Sequence, residues 1–255
     1  MLFKIIVYII SGLGAGIGTG LAGLSAAAVI SPMLITFLGF NAYEAVGIAL
    51  ASDVLASGVS AYTYGKNKHL DIKNGLVMLI SVLIFTLVGS RIASLVPNST
   101  MGGFSVFMTT FLGIRFIVKP VMQTGQAQEN KTRQRKIIES LLCGVLIGFI
   151  CGFIGAGGGM MLLFVLTGVL GYELKMAVGT SVFIMTFTAL TGALSHFAIG
   201  GKPDLLALIV CVLATLIGAR SALFANKATP EKQNRVTGLV LTALGIAMIL
   251  VKFVF

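Results

Sequence analysis

The sequence predicts an all-α polytopic membrane protein built from two homologous repeats. Composition is the first observation. Hydrophobic residues make up 57% of the 255-residue chain and charged residues 10%, against about 25% charged in soluble domains. The second is length: apolar runs of roughly 18 residues or more recur from end to end, each long enough to cross a bilayer. The third is duplication. Gly16, Gly20, Gly23, Leu34, Gly39, Ala45, Val46 and Gly47 return 132 positions later as Gly148, Gly152, Gly155, Leu166, Gly171, Ala177, Val178 and Gly179. Thr86-Leu-Val-Gly-Ser-Arg91 returns as Thr215-Leu-Ile-Gly-Ala-Arg220. Internal duplication is the usual trace of a secondary transporter, whose site lies where the repeats meet.

Eight hydrophobic blocks follow, at 5–38, 42–64, 74–96, 101–118, 137–170, 173–199, 204–225 and 235–255. The first repeat is 1–118 and the second 137–255. Between them, 119–136 is Gln-rich, basic and poor in apolar residues, which predicts a flexible linker. The first and fifth blocks are over-long. At about 34 residues each they would span roughly 51 Å as helix, while the hydrocarbon core is about 30 Å thick. Both carry a dense glycine cluster, Gly18-Thr-Gly-Leu-Ala-Gly-Leu-Ser25 and Gly152-Phe-Ile-Gly-Ala-Gly-Gly-Gly159. Each glycine weakens a helix interior by about 1 kcal/mol relative to alanine. The expectation is therefore broken or hairpin helices at 5–38 and 137–170.

That break decides the symmetry. If each long block turns back, each half has an odd number of crossings and the repeats are inverted. If each crosses once, the repeats are parallel. Charge separates these readings poorly. With broken helices, the loop cations lie on the linker side except Lys4, Lys202 and Lys252, and the continuous alternative satisfies the positive-inside bias almost as well. Segment length and glycine favour inversion, with the linker cytoplasmic and both termini outside. The same bias explains the net charge of +10 without nucleic acid.

Several residues could carry chemistry. Gly12, Gly16 and Gly20, like Gly144, Gly148 and Gly152, form small-xxx-small ridges for helix packing. Such ridges can also face a second copy, so a homodimer stays open. Ser25 and Ala26, with Gly157, Gly158 and Gly159, fall at the start of the half-helices after the breaks. Free N–H groups there suit an anion near the midplane. Thr180 and Ser181 follow in block six as hydroxyls that either bind a ligand or bond back to their own helix. Asp53 lies mid-block beside Ser52 and Ser57, and its counterpart is Met185. Asp53 and His196 are the candidates for proton coupling. Arg91 and Arg220 occupy matching positions, either drawing anions into two vestibules or snorkelling to headgroups; Arg115, without a counterpart, reads as snorkelling. Asp71 and Asp204 read as helix N-caps.

No enzyme is expected, since the chain offers no metal cluster, nucleophile elbow or phosphate loop. No bound cofactor is implied, and Cys143, Cys151 and Cys211 read as small packing residues.

The ordered set of Gly148–Gly159, Ala177-Val-Gly-Thr-Ser181, His196–Asp204 and Gly218-Ala-Arg220 resembles the sulfite exporter TauE/SafE family. The first copy repeats it as Gly16–Ala27, Ala45-Val-Gly47, His69-Leu-Asp71 and Gly89-Ser-Arg91. The resemblance implies an inner-membrane transporter of small sulfur anions, such as sulfite or organosulfonates like sulfoacetate and taurine, acting mostly outward. Its partners would be the anion and the bilayer. The first copy departs from the pattern, with Ile48-Ala49 where the second has Thr180-Ser181, and with the added Asp53. An anion channel and an embedded enzyme remain the alternative readings.

Overall fold

The computed structural model describes residues 1–97, 133–155, 158–200 and 203–254, together with residues 100, 107, 110, 111, 114 and 118. Most of block four, Arg115, most of the linker, Gly157 and Lys202 therefore lie outside the described residues. Among those described, all regular structure is helical.

The chain opens with α1 (Leu2–Ala22), a 3₁₀ turn (Ala26–Ala28) and α2 (Ile30–Leu38). Then come α3 (Ala42–Lys66) and α4 (Ile72–Ala93). The second half has α5 (Arg133–Ile154), α6 (Gly158–Phe164) running into a π turn (Val165–Val169), and α7 (Leu174–Gly200). It closes with α8 (Leu205–Ala219), α9 (Ser221–Lys227) and α10 (Pro230–Val254). Among the described residues five helical stretches are long and apolar enough to cross a membrane: α1, α3, α4, α7 and the run 205–227. Helix α5 starts inside the predicted linker. Block seven is not one helix, because the chain turns at Arg220 between α8 and α9.

Both over-long blocks are broken where their glycines stand. Gly23 ends α1 at φ 64° and Gly155 ends α5 at φ 68°, a left-handed conformation that costs other residues about 1–2 kcal/mol. Gly23 N–H then bonds back to Thr19 O and Leu24 N–H to Gly18 O, closing the helix end. Gly39 and Gly171 repeat the device, at φ 68° and 70°, where α2 and the π turn end. The first block doubles back, since Phe40 returns to lie edge-on to Tyr8 with ring centroids 6.3 Å apart.

The halves interlock through the glycine ridges. Along α1, a Cβ at Gly12 would meet Ala214, at Gly16 the Thr215 carbonyl, and at Gly20 the Ser221 side chain. Residue numbers rise together, so α1 lies parallel to α8. Along α5, a Cβ at Gly144 would strike Ser81, at Gly148 the Val82 carbonyl and at Gly152 the Thr86 carbonyl. Helix α5 thus lies parallel to α4. Between these pairs α3 and α7 run antiparallel: Gly47 faces His196 and Phe197, Gly58 faces Thr186, and Gly179 faces Tyr64 and His69.

The interior is small and polar and the exterior is greasy. Thr19, Ser52, Ser57, Ser60, Thr86, Thr180 and Thr215 are buried, while Leu76, Ile80, Ile84 and Leu87 form an exposed row on α4. Leu205, Ile209, Leu213 and Ile217 form another on α8. Water would disfavour such rows, but lipid is as apolar as leucine, so close packing of small residues holds the helices together instead.

Candidate functional site

The two breaks touch at the centre of the bundle. A Cβ on Gly159 would lie 2.5 Å from Gly23 O and 2.5 Å from Ser25 N, so the backbones meet with no room for a side chain. A Cβ on Gly155 would come within 3.0 Å of the Ala27 methyl. Ser25, Ala26, Gly158, Gly159, Thr180 and Ser181 are all buried. Ser25 Oγ accepts the Ala27 N–H at 3.3 Å, starting the 3₁₀ turn.

Of the predicted hydroxyls, one reaches the junction. A Cβ on Gly23 would collide with Ser181 Oγ, which places Ser181 against the first break; Ser181 donates to Val178 O at 2.8 Å. Thr180 points elsewhere. Its Oγ1 accepts the Asp71 N–H at 3.1 Å, linking the N-terminal end of α4 to α7.

Asp53 lies beside the first break. It is fully buried, and among the described residues it is the one buried carboxylate. Ser57 donates to Oδ1 at 2.8 Å and Thr19 reaches the same oxygen at 3.3 Å. The carboxyl also sits against the Ser25 side chain and the Ala26 N–H, though neither gives Oδ2 a well-formed bond, and that oxygen has no hydrogen-bond partner among the described residues. A buried charge without such compensation is costly. Sequence reasoning missed Thr19 here; the i, i+4 spacing of Asp53 and Ser57 was a readable signal.

His196 sits deeper than an end-of-span residue should. It is 2% exposed, stacks on Tyr43 with centroids 4.2 Å apart, and its Nδ1 lies 3.0 Å from Ser90 Oγ and 2.9 Å from Gly192 O. Nε2 has no partner among the described residues.

Two clefts open at opposite ends of the α3–α4 hairpin. One, about 500 Å³, is lined by Asn41, Tyr43, Glu44, Ala93, Ser94, Val96, Ile199 and Gly200. The other, about 610 Å³, is lined by Leu70–Lys73, Gly171–Glu173 and Met176. Asn41 and Glu44 in the first correspond to Glu173 and Met176 in the second at the 132-residue spacing. Neither cleft is lined by the junction residues. Arg91 and Arg220 are exposed, at opposite ends of the bundle, and also line neither cleft. Among the described residues no group of acidic, His and Cys side chains could hold a metal ion.

A family model described as Sulfite exporter TauE/SafE matches residues 8–248. The chain is 26% identical over 270 residues to the probable membrane transporter protein YunE of Bacillus subtilis, covering 96% of this chain and 97% of that protein. It is 24% identical over 259 residues to the probable membrane transporter protein MJ0441 of Methanocaldococcus jannaschii, covering 95% and 94%. No solved structure matches.

Proposed function

This chain belongs to the sulfite exporter TauE/SafE family, and from that membership we propose that it exports a small sulfur oxyanion, sulfite or an organosulfonate, by alternating access. It is a multi-pass membrane transporter; cargo, site and mechanism are what is proposed. The observation that carries the reading is the junction of two backbone breaks, where Gly159 meets Gly23 and Ser25. Unwound backbone at membrane depth is tolerated where it lines a site. Backbone N–H groups around Ser25–Ala26 and Gly157–Gly159, with the Ser181 hydroxyl, would receive the oxyanion. Thr180 joins them only if it gives up the Asp71 N–H. Arg91 and Arg220 would raise anion concentration at the two faces.

The repeats are proposed to be inverted. Parallel packing of α1 on α8 and of α5 on α4, with α3 antiparallel to α7, supports this: Phe40 beside Tyr8 and the Tyr64 O–H on Gly20 O align α3 with α1, so with α1 pointing up, α8 and α3 point up while α4, α5 and α7 point down. Each helix then opposes its 132-residue counterpart. The linker would be cytoplasmic, the termini periplasmic, and the membrane the inner one. Rocking of one repeat would open the buried junction to one cleft and then the other. Asp53 and His196 would carry the coupled charge, a proton in the simplest case, and neutralising Asp53 would remove its repulsion of the anion.

Proteoliposomes challenged with sulfite, sulfoacetate, taurine and sulfate test the cargo. Saturable flux with trans-stimulation by one of them is expected. Flux without trans-stimulation would indicate a channel, and no flux of any would sink the oxyanion reading. In the same vesicles, cysteines introduced at positions 2 and 128 should label from opposite faces; labelling from one face would rule out inversion.

A further inference from the structure

The surroundings of Asp53 hold more acceptors than protons. Thr19 Oγ1 lies 2.8 Å from Leu24 O, 3.1 Å from Ala15 O and 3.3 Å from Asp53 Oδ1. A hydroxyl has one proton, so two of these three acceptors go without it. Ser57 supplies its proton to Oδ1, while Oδ2 has no partner among the described residues. The groups gathered round the carboxylate are hydroxyls, one N–H and a carbonyl, with no basic side chain beside it among the described residues. Leu24 O is free of any helix ladder because it stands in the break between α1 and the 3₁₀ turn. Such carbonyls, next to hydroxyls and a carboxylate, are the ligands of a hard cation.

The second half of the chain serves as an internal control. At the 132-residue spacing Thr19 becomes Cys151, Ser25 becomes Gly157, Asp53 becomes Met185 and Ser57 becomes Ala189. The carboxylate and the three hydroxyls around it are absent together. Two of the replacements still face each other, Cys151 Sγ lying 4.0 Å from Met185 Sδ. The backbone break does not need these oxygens, since Gly155 makes the same turn without them. They therefore serve something other than the fold.

We propose that Asp53, Thr19, Ser57 and the Leu24 carbonyl bind one dehydrated monovalent cation of sodium size. The site carries a single carboxylate, which balances one positive charge, where a divalent ion would call for more. A proton would satisfy Asp53 alone and leave the converging hydroxyl and carbonyl oxygens without a purpose. The inference rests on the transporter reading and supplies its coupling ion. A cation here neutralises the buried Asp53 carboxylate beside the junction, so the oxyanion and the cation favour each other's binding.

Two measurements on the full chain in detergent, without any transported anion, test this. The first is the thermal unfolding midpoint in NaCl against choline chloride at fixed pH and ionic strength. The second is equilibrium binding of radioactive sodium. A saturable, sodium-specific rise in midpoint is expected, with one ion bound per chain. Asp53→Asn abolishes both. Ser57→Ala, a milder change, weakens sodium binding roughly tenfold, and Met185→Leu leaves it unchanged. Equal midpoints in sodium and choline, a response that survives Asp53→Asn, or a response to pH alone would each overturn the sodium site. Because no sulfur oxyanion is present, such a failure leaves the oxyanion reading intact; absent oxyanion flux with intact sodium binding would do the reverse.

Discussion

In the first half of the molecule Thr19 reaches Asp53 at 3.3 Å, and at the same places in the second half Cys151 faces Met185 at 4.0 Å. Around these pairs the backbone does the same thing twice. Gly23 and Gly155 both end a helix in left-handed conformation, and Gly39 and Gly171 both end the returning segment that way. The ridges match as well, Gly16 against the Thr215 carbonyl and Gly148 against the Val82 carbonyl. Architecture here depends on residues without side chains, where steric rules leave little choice. Chemistry depends on a handful of side chains on that scaffold, and those are free to diverge. The matching glycines therefore give both halves the same helix ends, and the polar cluster sets one half apart from the other.

The largest expected effect comes from the contact the two breaks share. Gly159→Val puts a branched side chain where a Cβ already lies 2.5 Å from Gly23 O and Ser25 N. Overpacking typically costs about 1–3 kcal/mol, and backbone on both sides cannot swing away. Anion flux should fall below detection while the chain still inserts. Gly168→Ala, with nothing within 4 Å of the new Cβ, should transport normally. Normal flux in Gly159→Val would mean that the junction is not where the cargo passes.

A smaller effect is expected from erasing the asymmetry. Asp53→Met gives the first half the residue of the second. Counterflow should fall on the order of 100-fold, about 3 kcal/mol, whereas Met185→Leu, a near-isosteric swap costing less than about 1.5 kcal/mol, should slow it only a few-fold. Equal losses from the two substitutions would make the halves equivalent and remove the case for a one-sided polar cluster.

The sequence made the frame legible and hid the contacts. The breaks at Gly23 and Gly155 followed from segments too long for the bilayer and from glycine's weakness in helices, both local arguments. The caps at Asp71 and Asp204 followed from residue type, and both side chains do accept the expected N–H, from Asn74 and Ala207. The Thr19–Asp53 approach joins residues in different helices, and no periodicity predicts which helices become neighbours. The exchange of ridges, α1 onto α8 and α5 onto α4, was hidden for the same reason. Thr180 was expected to bind a ligand or its own helix, and the partner it has, the Asp71 N–H, comes from the other half, beyond the reach of a local argument. His196 stands three residues before the end of block six, yet the pairing of α3 with α7 buries it against Tyr43.

The smallest effect concerns the helix caps, which also join the halves. Asp71 N–H donates to Thr180 Oγ1, and Asp204 N–H donates to Glu44 Oε1. Asp71 differs in holding further donors, Asn74 Nδ2 at 2.6 Å and Tyr172 O–H at 2.8 Å. Burial pushes the Asp71 carboxyl up, but the bonds from Asn74 and Tyr172 outweigh it and hold the group below its usual range. A carboxyl depressed in the folded state stabilises the fold fully above its unfolded value, about 3.9. That contribution is lost as pH falls from there through the folded value. Tyr172→Phe removes one donor and brings the folded value back toward the unfolded one. The variant should therefore be less stable than the parent at pH 7, with the gap in unfolding midpoint narrowing as pH drops below about 4. A gap that stays constant from pH 7 to pH 3 would show that the tyrosine acts through packing alone, and that the two caps, despite their different partners, work alike.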